Sequence, residues 1–269
     1  MSYAREAVRR ADVELVLHRW LPPAPRAVIY YVHGTQSHAG WMFETGPALA
    51  ERGCAVYALD RRGAGLSGGA RGDTPSYQHW RDDYLDMLVD VRARHAGLPL
   101  LLLGQSMGGA IASSVAIDPR APHDALLLVA PLLVPPRPST LWDGKPEAEP
   151  VTLPLPDDYY TRDPRYLAFM RDDTLMVRAF TARFQAARAA MTQHTLGLEA
   201  PLAKRPAALI LPRRDRIIDL AQARELFGFM TGQRGTVIDL PADDHYLEFT
   251  PARHLLWHLE AALATYVHS

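Results

Sequence analysis

Gly104-Gln105-Ser106-Met107-Gly108 sets a serine between two glycines, directly after the leucine run Leu100–Leu103 and just before the apolar stretch AIASSVAI. The leucines predict a short buried strand, and the stretch after the serine predicts a helix packed under a sheet. A serine in G-x-S-x-G at such a strand-to-helix turn stands clear of the backbone as a nucleophile, because its small neighbours let strand and helix close up around it. Glycine and serine are common, so the pentapeptide gains its weight from this setting.

A serine hydroxyl attacks poorly unless an imidazole takes its proton, and the imidazole needs a carboxylate to hold its tautomer. These partners should follow strands that end at the same sheet edge as Ser106, where open α/β sheets bind ligands. Asp215 follows a predicted strand over 207–211, and His245 follows one over 236–240. Asp219 precedes LAQARELF and reads as a helix cap. Asp243 and Asp244 shape the histidine's loop, while His254, His258 and His268 belong to the terminal helix and tail. Backbone N–H groups must meet the charge that develops on the attacked carbonyl. Met107, the residue after the nucleophile, supplies one, and Thr35, in the loop after a strand over 27–32, supplies the other. Trp41 and Met42 follow that loop and are candidates to line the substrate pocket.

The elements that would carry these groups alternate. Strands are predicted over Val13–Trp20, Ala27–Val32, Cys54–Leu59, Leu100–Leu103 and Ala125–Ala130. A helix is expected from Thr74-Pro75 to about His95, with Trp80, Tyr84, Leu88 and Val91 on one face. Continuous apolar strands separated by helices imply a mostly parallel sheet covered on both faces. Pro131–Pro164 holds nine of the 22 prolines and no periodic run, and predicts an irregular segment. A helix is then expected from Asp172 to about His194. Its apolar side either packs on the core or lines a cavity, with Leu175 and Phe180 the candidate lining residues. Beyond the strand at 207–211 come a helix over Ala221–Met230, the strand at 236–240 and a closing helix from Pro251 to about Val267. The chain therefore divides into a core of residues 1–130 and 204–269 and an inserted lid of residues 131–203.

Composition narrows the function classes. The 269 residues carry a formal net charge of -1, with arginines mixed among acids, which argues against a nucleic-acid groove or stable membrane insertion. Cys54, the single cysteine, sits in the apolar run CAVYAL and reads as core. The N-terminus shows no apolar signal region, and a cytoplasmic location is the default expectation. Ala96–Ile117 lacks charge but is broken by Pro99 and several glycines, so strand-turn-helix suits it better than a membrane span. No H-E-x-x-H appears, the Gly-rich segments lack a P-loop lysine, and GQSMGG is not G-x-G-x-x-G, so no metal and no cofactor is expected. The expected partner is a small molecule, and the sequence sets no oligomeric state.

Taken together, these motifs resemble the α/β-hydrolase superfamily, and within it the monoacylglycerol-lipase and lysophospholipase-like branch, also called the serine aminopeptidase S33-like group. His33-Gly34 matches its oxyanion loop, Asp60-Arg61-Arg62-Gly63-Ala64-Gly65-Leu66-Ser67 its D-x-x-G-x-G-x-S segment, and Gly104–Gly108 its elbow. Asp215-Arg216 and His245 match its late acid and base, and Ser, Asp, His is the order that fold uses. The usual loop is closer to HG-x-G-E-H, whereas this chain has HGTQSH. The resemblance implies an α/β-hydrolase fold and cleavage of a carboxylic ester with an apolar acyl part, such as a monoacylglycerol or lysophospholipid, through an acyl-enzyme. The same machinery could serve an amidase, a peptidase or an acyltransferase, and the fold could also persist as a non-catalytic ligand-binding protein.

Overall fold

The computed structural model describes residues 1–10, 12–134 and 140–266. Its main sheet has eight strands in the order β1–β2–β4–β3–β5–β6–β9–β10. These are β1 (Ser2–Arg9), β2 (Glu14–Leu21), β3 (Ala27–Val32), β4 (Cys54–Leu59), β5 (Leu100–Gln105), β6 (Ala125–Val129), β9 (Ala207–Pro212) and β10 (Thr236–Leu240). Strands β3 to β6, β9 and β10 pair in parallel, and β1 and β2 add an antiparallel edge. Edge strand β1 is absent from the expectations above. Its sequence, SYAREAVR, carries three charges and stays largely exposed, so it lacks the apolar run that marked the central strands.

Every residue of β3, β4, β5 and β6 is buried. Successive side chains in a strand point to opposite faces, and the core divides accordingly. Val28, Tyr30, Val32, Leu100 and Leu102 pack with helices α2 (Tyr77–Arg94) and α3 (Met107–Ala116). Ala27, Ile29, Tyr31, Leu101 and Leu103 pack with α1 (Thr45–Glu51) and α7 (Arg253–Tyr266) on the other face. The chain leaves β3 for β4 on one side and later returns to β5 on the other, so the strand order reverses between β3 and β5. Such a reversal opens a crevice at the carboxyl edge.

Between the neighbouring strands β6 and β9 lies an inserted, largely helical region. It carries a two-stranded ribbon of β7 (Val151–Thr152) and β8 (Ala179–Phe180) and the helices α4 (Pro164–Asp172) and α5 (Ala182–Leu196). Residues 135–139 of its proline-rich start lie outside the described residues, as do Val267, His268 and Ser269.

Two helix starts differ from expectation. Helix α2 begins at Tyr77 after Ser76, because the Thr74 hydroxyl donates to the Ser76 carbonyl instead of capping a helix at Pro75. Asp172 ends α4 instead of opening the next helix. Asp173 then turns its carboxylate to the Leu175 N–H and the Trp41 indole, and α5 waits for Thr181, whose hydroxyl caps the Phe184 N–H. Helix α6 (Leu220–Thr231) is capped by Asp219, as its sequence suggested. Among the described residues no helix is long and apolar enough to cross a membrane.

Behind the carboxyl edge, α7 buries Glu260 with no partner for either carboxyl oxygen. Burial raises its pKa well above the usual carboxylate range, and neighbouring Glu248 is pushed up to about 7 by the same cause. The native state therefore keeps protons that the unfolded chain releases above about pH 4.5, and stability falls as pH rises from there. The Glu248 share of that loss levels off near its native value of about 7; the Glu260 share continues above it. Glu260→Met, similar in volume and uncharged, should therefore raise stability at about pH 8 by roughly 2 kcal/mol, or ~5 °C in Tm, and flatten the fall between about pH 5 and pH 8. Thermal melts of both proteins across that range check this, and parallel curves would contradict it.

Candidate active site

Ser106 sits between the end of β5 and the start of α3 with φ 53° and ψ −125°, a conformation side chains seldom adopt. Two close approaches demand the flanking glycines. A Cβ on Gly108 would fall 2.0 Å from the Val32 carbonyl oxygen, and one on Gly104 would fall 2.4 Å from the Gly108 oxygen. Ser106 donates its N–H to the Val129 carbonyl of the adjoining strand, which fixes the turn to the sheet.

His245 reaches Ser106 from the loop after β10, its Nε2 2.9 Å from the serine Oγ. Its Nδ1 lies 2.7 Å from Asp215 Oδ2, and the side chains of His245 and Asp215 are both fully buried. Asp215, at the end of β9, accepts the N–H groups of Ile217 and Ile218 on its other oxygen, at 2.7 and 3.0 Å. With the Nδ1 proton directed to the carboxylate, Nε2 offers its lone pair to the serine hydroxyl. A hydroxyl held this way can pass its proton to the ring as it attacks a carbonyl carbon.

The backbone around Ser106 is fixed as firmly as the side chains. The Ser106 carbonyl accepts the N–H groups of Gly109 and Leu132, each at 2.9 Å. In a trans peptide the next N–H points the opposite way, so the Met107 N–H is held away from those partners at the start of α3, where helical amides lack internal acceptors. The same logic governs Thr35. Arg61 is buried and donates from Nη1 to the Gly34 carbonyl at 2.9 Å and from Nη2 to the Thr35 carbonyl at 2.8 Å. Holding the Gly34 oxygen turns the Thr35 N–H, at the other end of that peptide, to the opposite side. The Arg61 guanidinium also lies over the rings of Trp80 and Phe184, and burial brings its pKa down only to about 10, so it stays a cation at neutral pH.

His33 completes the brace. Its Nε2 accepts the Arg61 N–H at 2.9 Å, which leaves Nδ1 to donate to the Gly34 carbonyl at 3.0 Å; burial keeps the ring neutral by lowering its pKa well below the usual value. Asp60, fully buried, accepts the N–H of Ala39 on one oxygen and of Leu66 on the other, tying the two loops together.

Ser106, Asp215 and Thr35 line one cavity of about 710 Å³, and Met107, which follows Ser106 at the start of α3, is buried and not among the lining residues. The apolar wall comes from Leu132, Val134, Leu153, Leu155, Ile217 and Ile218, with Tyr160 above the imidazole at 5.9 Å between ring centres. None of the four pocket residues expected from the sequence is in this lining. Trp41 packs among Tyr160, Tyr246 and Phe249 and donates to Asp173, Met42 belongs to the core on the α1 side, and Phe180 is buried in the opposite core beside Phe184. Leu175 is half-buried beside the loop carrying Arg71, which donates to its carbonyl. Tyr160 and the four leucine and valine residues come from stretches without periodicity, and nothing in the sequence singled them out. Arg61 stood in the D-x-x-G-x-G-x-S segment, but its role depends on a contact across to another loop.

Residues 23–249 match the family described as serine aminopeptidase, S33. The chain belongs to that family. It is an ester-cleaving serine hydrolase with the α/β-hydrolase fold. A monoacylglycerol lipase of Mycolicibacterium smegmatis is 28% identical over 80% of this chain and 79% of its own length. The human monoglyceride lipase is 32% identical over a shorter stretch, 46% of this chain and 42% of that protein. A soluble variant of the Saccharomyces cerevisiae monoglyceride lipase, solved with a substrate analogue, superposes with a TM-score of 0.83 at 16% identity, covering 99% of this S33 chain and 95% of that one; at that identity the likeness is one of fold.

Proposed function

We propose that this S33 hydrolase cleaves a monoacylglycerol-like ester, with Ser106 as nucleophile, His245 as general base and acid, and Asp215 orienting the imidazole. The observation that carries the reading is the unbroken hydrogen-bonded line from Asp215 through His245 to Ser106 at the floor of a cavity with one apolar wall. Ser106 Oγ attacks the ester carbonyl as its proton passes to His245 Nε2. The carbonyl oxygen takes the negative charge and meets the Thr35 and Met107 N–H groups. Collapse of the tetrahedral intermediate breaks the ester C–O bond, His245 returns the proton to the departing alcohol, and an acyl-serine remains. Water, deprotonated by the same nitrogen, then releases the fatty acid.

The apolar wall suits the acyl chain, and the relatives named as monoacylglycerol and monoglyceride lipases support the leaving group. Residues 131–203 act in this reading as the lid, since Leu132, Val134, Leu153, Leu155 and Tyr160 all come from them. The single buried thiol, Cys54, suits a cytoplasmic setting.

A fluorophosphonate probe should label the wild-type protein and leave Ser106→Ala unlabelled, and monoacylglycerol should be hydrolysed to glycerol and fatty acid by the former alone. Equal labelling of the two proteins would overturn the assignment.

A further inference from the structure

One half-buried charge in the cavity has no counterpart. Arg188, on α5, lines the same cavity as Ser106, and its Nε is buried without a hydrogen-bond partner. Among the described residues no carboxylate lies within ion-pairing distance of its guanidinium. Every other charged group on that wall is engaged. Asp215 holds His245, Arg216 pairs with Asp158, and Asp219 caps α6 from an exposed position. The segment 135–139, which follows lining residue Val134, reads Pro-Pro-Arg-Pro-Ser and offers no carboxylate. Burial with nothing to offset it brings the Arg188 pKa down to about 10, so the side chain remains a cation wherever the hydrolase would work at neutral pH. The buried arginines elsewhere contrast with it: Arg62 has Asp83 and Asp12, and Arg61 has two carbonyls and two rings.

A half-buried guanidinium facing an open cavity is a strong binder of planar or tetrahedral anions, because its donors form a rigid fork that matches carboxylate and phosphate oxygens. We infer that Arg188 is a substrate-binding residue and that the preferred ester carries an anionic group, a carboxylate or a phosphate, on the part of the molecule that reaches α5. Gln185, three residues earlier and on the same helix face, also lines the cavity with its Oε1 buried and unpartnered. Its amide can turn N–H₂ to the same anion or its oxygen to a hydroxyl beside it. The anion sits at Arg188 while the ester carbonyl sits at Ser106, and the apolar wall of Leu153, Leu155 and Ile217 takes the acyl chain. This inference rests on the ester-hydrolase reading above and narrows it from neutral acylglycerols to acidic ones.

The test uses three esters with one acyl chain: a monoacylglycerol, its glycerol 3-phosphate counterpart, and the matched acyl ester of glyceric acid. The wild-type enzyme should favour at least one acidic ester over the neutral one in kcat/KM, and which one separates phosphate from carboxylate. Arg188→Gln should lower the acidic-to-neutral ratio by about 30-fold or more, mostly through KM, since a charged partner is being removed from a desolvated contact. Arg188→Lys, which keeps the charge and loses the fork, should retain part of that ratio. A ratio unchanged in Arg188→Gln, with the neutral ester still cleaved, overturns the role of Arg188 and leaves the ester-hydrolase reading standing. A wild-type protein that cleaves none of the three overturns the acylglycerol reading and this inference with it.

Discussion

Ser106→Ala should lower kcat on an ester by about 10⁶-fold, and adding His245→Ala to it should cost almost nothing further. In the proposed mechanism the two residues act as one unit. The 2.9 Å contact between Ser106 Oγ and His245 Nε2 matters only as a route for the serine's proton. Once the hydroxyl is gone the imidazole has nothing to deprotonate, so its loss is no longer felt. What survives in either variant is the cavity and the backbone donors, worth roughly 10³–10⁴ over the reaction in water. Those donors are untouched by either substitution, because Gly109 and Leu132 hold the Ser106 carbonyl, and Arg61 the Gly34 carbonyl, through backbone oxygens. Single-turnover kinetics on Ser106→Ala, His245→Ala and the double variant measure this directly. Losses that multiply in the double variant would mean that the two side chains act in separate steps.

The strands and the chemistry were legible in the sequence to different depths, for a physical reason. Thr236–Leu240, a largely exposed edge strand, keeps its expected bounds, and Ala27–Val32 and Cys54–Leu59 appear with the bounds their apolar runs indicated. A strand buried on both faces must be apolar throughout, and that is visible one residue at a time. Ser106, Asp215 and His245 could be paired before any geometry was known, because each follows a strand and parallel strands deliver their ends to one edge. The cavity wall was not legible. Trp41 and Phe180 are large and apolar, and so are Leu153 and Ile217; which of them face a cavity depends on where the ribbon β7–β8 and helix α5 settle on the core. That placement rests on polar contacts between distant positions, such as the Tyr160 hydroxyl on Gln36 and the Thr181 hydroxyl on Asp73, and such contacts leave no periodic trace. Arg61 and Arg188 show the same limit. Arg61 stood in a loop motif and Arg188 among the chain's many arginines, and only the folded contacts reveal that one braces two carbonyls while the other faces the cavity unpaired.

Asp215→Asn should lower kcat by about 10⁴-fold at neutral pH, although it changes neither volume nor shape. The expectation follows from the two sets of partners that Asp215 serves. Oδ1 accepts the N–H groups of Ile217 and Ile218, and Oδ2 accepts from His245 Nδ1. Asparagine has one acceptor oxygen and one donor nitrogen to share between these sets. Turning N–H₂ toward Ile217 and Ile218 would oppose donors to two buried backbone donors, so the oxygen must stay with the amides. The N–H₂ group is then left facing His245. An imidazole facing a donor presents the lone pair of Nδ1 and carries its proton on Nε2, where it points at Ser106 and cannot accept the hydroxyl proton. The triad would keep its distances and lose its direction. Asp215→Ala offers the contrast, since it removes the opposing donor, leaves the tautomer free and gives up the carboxylate's charge. Asp215→Asn should accordingly be no more active than Asp215→Ala despite its closer likeness to the native residue. Steady-state kinetics on both, with fluorophosphonate labelling rates as a second readout of the nucleophile, decide the matter. A clear advantage for asparagine would show that Asp215 works by occupying space and holding its loop, and that the tautomer of His245 is fixed by something else.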